Sequence, residues 1–292
     1  MTAPGEGFSG PWPAPAKLNL MLRILGRRAD GYHLLQTVFQ FLDHGDRLWL
    51  RPRADGRVRR RSALPGVTEG QDLTVRAARA LQGESGTALG VDIALDKRLP
   101  LGGGLGGGSS DAATVLLVLD RLWGLHLGLD RLAEIALGLG ADVPFFVRGR
   151  AAWGEGVGER LTPVAAAEPW YLVLIPSCQV STAAVFDDAG LTRDSPPLKI
   201  ADFVAGTQGN DCTGVVRRAY PEVARALDWL QARGGGHLTG TGACVFAPFE
   251  DRAEAEARLA EAPWRGFVAR GRNRSPLHRA LAREFPVDFI GA

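Results

Sequence analysis

The chain has 292 residues, 46% of them apolar and 23% charged, enough to bury a substantial core in one or two domains and unlike the composition of a disordered chain. A net charge of +2, with basic residues scattered among acids, excludes the continuous cationic stripe that duplex nucleic acid requires. No apolar run approaches the ~20 residues that cross a bilayer, the opening residues carry no basic-then-apolar leader pattern, and Cys178, Cys212 and Cys244 are too few and too scattered for a disulfide framework or a zinc site, so a reduced, cytoplasmic setting with no membrane partner is expected.

In chain order, residues 17–25 alternate as a strand does, and residues 38–42 and 47–51 read as two further strands around a turn at His44-Gly45-Asp46. The basic run at 57–61 reads as a solvated hairpin or loop. Residues 72–81 show helical spacing and 90–95 return to strand. After Pro100 a glycine-rich loop reaches Ser109, Ser110 and Asp111, all good N-cap types, and then a strongly apolar helix. A helix at 130–139 ends at Gly140, and the chain turns through Asp142 into the strand-like stretch 145–147. Pro163 and Pro169 flank an alanine run that reads as a boundary, dividing the chain into units of residues 1–160 and 161–292. The second unit is expected to hold a strand at 170–175, a helix at 215–232, a turn at 239–243 between strand-like flanks and a charged helix at 251–260. Strands and helices do not alternate regularly, which favours an α+β fold over a doubly wound parallel sheet.

The glycine run has a physical cost that calls for an explanation. Glycine buries little apolar area and loses more backbone entropy on folding than any other residue. A chain without Cβ atoms can curl its N–H groups around phosphate oxygens, and a helix N-terminus directly behind it adds about half a positive charge, so anion binding is the natural use. The loop lacks the Gly-Lys-Ser/Thr ending of the common phosphate loop. Gly102, Gly104 and Gly107 satisfy the letters of a dinucleotide fingerprint, but Pro100 separates them from the preceding strand and the acid expected about 20 residues on falls within the helix. Lysine usage adds a second signal, because among 34 basic residues only Lys17, Lys97 and Lys199 are lysine. In a chain that otherwise uses arginine, each is a candidate for a place where a compact ammonium is needed.

PLGGGLGGGSSDAA, taken with PAKLNL, GADVPFF, LTGTGACVF and the late SPLHRA, resembles the galactokinase, homoserine, mevalonate and phosphomevalonate (GHMP) kinase superfamily over residues 13–280. The resemblance implies an N-terminal nucleotide-binding domain and a C-terminal substrate domain around a shared cleft, with ATP as co-substrate and Mg²⁺ bridging its phosphates. Within the superfamily, residues 15–46 are similar to members that phosphorylate the 2-hydroxyl of a cytidine diphosphate-linked methylerythritol in non-mevalonate isoprenoid synthesis. By position, the resemblance implies Lys17 and Asp142 as the catalytic pair. It implies Pro100, Leu101, Gly102, Gly103, Gly104, Leu105, Gly106, Gly107, Gly108, Ser109 and Ser110 as the phosphate loop, with Lys97 and Asp72 also at the nucleotide and Ser109 as a hydroxyl ligand for Mg²⁺. Asn19, Tyr32, His33, Thr182 and Phe186 fall where the cytidine-bearing substrate is held, with the rings of Tyr32 and Phe186 facing each other. The turn at 239–243 is expected to shape the active site.

The chain departs from the family pattern in reading Gln71-Asp72-Leu73 where Glu-Asn-Leu is usual, which sets a carboxylate in place of an adenine-contacting amide. It also has Thr213 where relatives often carry Glu, and Asp111 where some carry Asn. Two other readings stand beside this one: a GHMP kinase for another small alcohol of homoserine or mevalonate type, and a non-catalytic nucleotide-binding regulator on the same scaffold. A monomer or weak homodimer is expected.

Overall fold

Two long antiparallel strands open the protein, whose computed structural model describes residues 5–204 and 209–286. The outermost ends of the two expected units lie outside the described residues. Strand β1 (Ser9–Arg27) pairs with β2 (His33–Arg53) from Arg27↔His33 back to Ser9↔Leu50. β2 is continuous where two strands and a turn were expected. The polar His44-Gly45-Asp46 signal marks a bulge instead, because the register passes from Lys17↔Phe41 to Pro15↔Gly45. Gly45 lies so close to β1 that a Cβ there would sit 2.1 Å from the Ala14 carbonyl oxygen, so only glycine fits the bulge.

There follow β3 (Val58–Arg60), α1 (Leu73–Ser85), β4 (Gly90–Asp96), α2 (Gly107–Leu122), α3 (Gly128–Leu137), α4 (Val143–Arg148), β5 (Ala152–Glu155), β6 (Arg160–Pro163) and β7 (Trp170–Ile175). The chain continues through α5 (Thr182–Asp187), α6 (Ile200–Val204), β8 (Gly209–Asn210), α7 (Thr213–Ala219), α8 (Pro221–Gln231), β9 (His237–Leu238), β10 (Val245–Phe249), α9 (Arg252–Glu261), β11 (Arg265–Arg272) and α10 (Pro276–Glu284). The strands connect in the order β3-β4-β2-β11-β7-β10-β9, with β1 and β5 also on β2. Only β3–β4 and β1–β8 are parallel among the described residues, so the α+β expectation holds.

Three local expectations are corrected. Residues 145–147 are helical, in α4, not strand. Phe145, Phe146 and Val147 are all buried, and a short apolar run buried on every side has no period to read. The helix expected over 215–232 is two, α7 and α8, because Pro221 forces Tyr220 out of the helical region to φ −129°, ψ 84°. The helix expected to end at Gly140 stops earlier, at Leu137.

Helix α2 explains the position of the glycine loop. Residues 110–120 of it are buried continuously, and Val115, Leu116 and Leu119 pack with Phe41, Phe145 and Leu81 in the first core. At roughly 1.5–3 kcal/mol for each large apolar side chain buried, this packing fixes the helix and so the loop in front of it. A second core joins α7 and α8 to β7 and β10 through Val216, Leu227, Leu230, Leu172, Leu174 and Val245. Helix α10 returns to the first core through Leu277 and Leu281.

Candidate active site

Helix α2 begins at Gly107 with Gly106 as N-cap, so Ser109, Ser110 and Asp111 lie inside the helix, later than their cap chemistry suggested. No side chain caps this terminus, which leaves its partial positive charge available to an anion. The loop's carbonyls are tied back to the protein. Gly103 O accepts from Cys244 N–H at 3.1 Å, Gly104 O from the Thr239 hydroxyl at 3.1 Å and Leu105 O from Lys17 N–H at 2.9 Å. Gly104 has φ +74°, and a Cβ on it would lie 2.2 Å from Thr239 O, so the 239–243 turn and the loop fit only because residue 104 has no side chain. Pro100 packs behind Gly103, Leu101 is exposed, Gly102 also has positive φ, and Gly108 lies beside Leu73 of α1.

Lys17 sits in β1, 3% exposed, with Nζ 3.4 Å from Asp142 Oδ2. It also donates to Asn19 Oδ1 and lies 5.5 Å from the centre of the Phe39 ring. The Asn19 amide is oriented by Nδ2–H donating to Thr37 Oγ1 at 2.8 Å, while the Thr37 hydroxyl donates to Met21 O at 2.6 Å. Asn19 N–H donates to Thr239 Oγ1 at 3.0 Å, so the hydroxyl that anchors Gly104 anchors the Lys17 strand as well. Asp142 occupies the N-cap position of α4, but its side chain makes no cap hydrogen bond. Its carboxylate is one-third exposed and faces a cavity of about 250 Å³ lined by Lys17, Asn19, Thr37, Gly104, Gly106, Asp142, Thr182, Phe186 and Thr241.

A larger cavity of about 510 Å³ shares Ala141, Thr182 and Phe186 with the first and adds Tyr32 and His33. The Thr182 hydroxyl hydrogen-bonds that of Thr241, which lines the smaller cavity, at 2.8 Å. The ring stacked on Phe186 is that of His33, with centroids 4.9 Å apart and planes 19° from parallel, while Tyr32 stands at the rim, 63% exposed. Burial, followed by the charge of Arg193, pushes the His33 pKa down, so the ring is neutral at physiological pH.

Lys97 lies under the first turn of α2, where a Cβ on Gly107 would be 3.0 Å from its Nζ. It bridges Asp46 and Asp111, the latter at 2.7 Å. Burial alone would lower the Lys97 pKa, but the two carboxylates outweigh it and raise it. Asp111 is pushed above the usual carboxylate range by burial, which its lysine partner only partly offsets. Asp46 Oδ1 also accepts the N–H groups of Arg98 and Leu99, at 2.6 and 2.8 Å. Asp72 caps α1 by accepting from Thr74 N–H at 2.8 Å and pairs with Arg60 at 2.9 Å, which takes one arginine of the 57–61 run out of solvent.

The structure thus gathers Lys17, Asp142, Asn19, Thr182, Phe186 and the glycine loop at one cavity, with Tyr32 and His33 in its neighbour. Lys97 and Asp72 stand behind the loop in ion pairs. Sequence reasoning missed Asp46, which was read as a turn residue, Thr37 and Arg193, whose partners are distant in the chain.

Residues 72–150 match the GHMP kinases N terminal domain and residues 198–263 the GHMP kinases C terminal domain. The 4-diphosphocytidyl-2-C-methyl-D-erythritol kinase of Halorhodospira halophila is 60% identical over 276 residues, covering 93% of this chain and 96% of that protein. That of Ectopseudomonas mendocina is also 60% identical, covering 92% and 93%. A crystal structure of 4-(cytidine 5'-diphospho)-2C-methyl-D-erythritol kinase superposes with a TM-score of 0.78 at 34% identity, over 89% of this chain and 98% of that one. The Methanococcus jannaschii mevalonate kinase, at 14% identity and a TM-score of 0.64, shares the fold. The chain therefore has the two-domain GHMP kinase fold and belongs to the 4-diphosphocytidyl-2-C-methyl-D-erythritol kinase family.

Proposed function

We propose that this kinase transfers the γ-phosphoryl group of ATP to the 2-hydroxyl of 4-diphosphocytidyl-2-C-methyl-D-erythritol, giving the 2-phosphate and ADP, in the non-mevalonate route to isoprenoid precursors. The observation that carries the reading is the 3.4 Å Lys17–Asp142 pair in one cavity with Gly104, Gly106 and Thr182. Phosphoryl transfer asks the protein for in-line positioning and charge stabilisation rather than covalent help. Asp142 accepts the proton of the attacking hydroxyl, whose oxygen bonds to the γ-phosphorus as the bond to the β-bridging oxygen breaks and ADP leaves. Lys17 holds the Asp142 carboxylate and stabilises the charge that develops at the transferring group.

Residues 100–110 cradle the ATP phosphates. Lys97, held between Asp46 and Asp111, supports the nucleotide end of that loop, and Asp72 lies at its base end. Asn19, Tyr32, His33, Thr182 and Phe186 hold the acceptor, its flat cytosine ring against the aromatic side chains. Among the described residues no group of three or more His, Cys, Asp or Glu side chains could cage a metal. The half-buried Ser109 hydroxyl would be the protein ligand of a Mg²⁺ that arrives with the nucleotide phosphates. Once bound, the ion would neutralise phosphate charge. The two units of the chain are taken as residues 1–160 and 161–292, with α10 packing back on the first core. The protein is read as a cytoplasmic monomer or weak dimer, and no helix among the described residues is long and apolar enough to cross a membrane.

The test is ³¹P NMR of the protein with Mg-ATP and the cytidylated acceptor, beside a control with methylerythritol phosphate. A new phosphomonoester with the cytidylated acceptor alone is expected. Phosphorylation that ignores cytidine would point to another GHMP substrate, and ATP binding without product to a regulator. Asp142→Asn is expected to lower kcat by roughly 10²–10⁴ while leaving ATP binding intact, and wild-type turnover in that variant would end the mechanism.

A further inference from the structure

We propose that Arg193 is a specificity-determining positioning residue, whose guanidinium fixes His33 in the Nδ1–H tautomer and fastens Phe186 beside it, so that the ring offers a donor matched to the N3 acceptor of cytosine and not to the protonated N3 of uracil. The inference rests on reading the larger cavity as the base site.

Arg193 lies in the connection between α5 and α6, outside any helix or strand, and spends its whole fork there. Its Nε–H points at His33 Nε2 across 3.2 Å. One terminal nitrogen donates to Phe186 O at 2.7 Å and Asp188 O at 2.9 Å, and the other to Leu191 O at 3.3 Å. A guanidinium has donors only, so Nε2 must be the acceptor of this pair and the proton of the neutral ring must sit on Nδ1. The charged groups around the ring act in the same sense. Arg193 and Arg27 oppose a second proton, with Asp187 as the weaker counterweight. The partner of one imidazole nitrogen thus decides what the other can do.

The consequence is chemical. His33 Nδ1 has no hydrogen-bond partner among the described residues, and the ring lines the cavity with Tyr32 and Phe186. Both bases carry an acceptor at O2, but N3 is an acceptor in cytosine and a protonated donor in uracil. An Nδ1–H donor set against N3 satisfies the first base and meets the second donor to donor. A donor left unpaired once the ligand covers it discriminates strongly against the wrong base. The hydrogen bond from the same guanidinium to Phe186 O sets the stacking ring and the reading ring by one side chain. A lysine could give the charge but not the four-way fork.

Long-range ¹H–¹⁵N spectra of the whole protein labelled on histidine test the tautomer directly. Near neutral pH, His33 is expected to show a protonated Nδ1 and an unprotonated Nε2 in the wild type. The opposite assignment overturns the proposal with no variant needed. In Arg193→Met the two tautomers should mix, KM for the cytidylated acceptor should rise roughly tenfold, and the preference for the cytidine over the uridine form of the acceptor should fall by a similar factor, with KM for ATP unchanged. Arg193→Lys should recover part of the preference. If Arg193→Met folds and keeps both tautomer and preference, Arg193 does not act through His33, and the base site stands without it. If instead His33→Ala leaves the base preference intact, the base-site reading itself fails.

Discussion

At the scale of single residues, the proposed site is built around a cation that is nearly sealed from water. Lys17 is held by Asn19 Oδ1, faces Asp142 and lies near the Phe39 ring. Its burial leaves no room for a broad planar group, so the distinction between lysine and arginine is geometric here rather than one of charge. Lys17→Arg keeps the positive charge, yet it is expected to lower kcat by about a hundredfold or more, because the larger head group displaces Asn19 and misaligns Asp142. Steady-state kinetics with both substrates saturating would check this. A variant with near wild-type kcat would mean that charge alone suffices. Lys17 stood out in the sequence because the chain uses lysine three times, and Asp142 because it sits at a helix-to-loop junction. Arg193, Asp46 and Thr37 did not stand out. Their meaning lies in partners far along the chain, such as His33 for Arg193, and a local pattern carries no trace of such a pairing.

At the scale of elements, the glycine loop is one half of a fitted pair whose other half is the turn between β9 and β10. Gly104→Ala would place a methyl 2.2 Å from Thr239 O on a residue with φ +74°. The left-handed conformation alone costs about 1–2 kcal/mol for a residue with a Cβ, and the backbone overlap adds to it, since the turn must move and draw Asn19 and Lys17 with it. The expected result is a thermal destabilisation of about 2 kcal/mol or more together with a raised KM for ATP. Gly83→Ala in α1 is the control, because nothing lies within 4 Å of the new methyl. It should gain up to about 1 kcal/mol from helix propensity. Equal destabilisation by the two substitutions would show that the loop–turn fit is loose. The glycine run, the long apolar helix and the 239–243 turn were legible because each breaks composition or periodicity conspicuously. The bulge at Gly45, the helical state of residues 145–147 and the break at Tyr220 were not. A bulge looks like a turn when its partner strand is unknown, and a short run buried on all sides looks alike as helix or strand.

At the scale of the whole molecule, one connected sheet joins the two cores, and the last helix closes the arrangement by returning to the first. His278 marks that return. It is 3% exposed, hydrogen-bonds Val147 O at 2.9 Å and packs against Gly149, where a Cβ would lie 2.3 Å from its Nε2. Burial pushes its pKa down to about 4 from the ordinary 6.5. The unfolded chain therefore binds a proton that the folded one refuses between those values. The contribution of this group to stability is complete above about pH 6.5 and is lost as the pH falls towards 4. Between about pH 7 and pH 5 the loss from His278 alone is on the order of 2 kcal/mol. His33, His44 and His237 are lowered as well, so the wild type has an acid-sensitive limb steeper than one group would give. His278→Gln keeps a donor for Val147 O and removes the titration. Urea unfolding at the two pH values should show the variant less stable than wild type near pH 7 from imperfect packing, but with a pH dependence smaller by about 2 kcal/mol. An unchanged difference between the two pH values would mean that α10 loosens before His278 meets a proton, and that the return of the last helix is the first contact between the two halves to open.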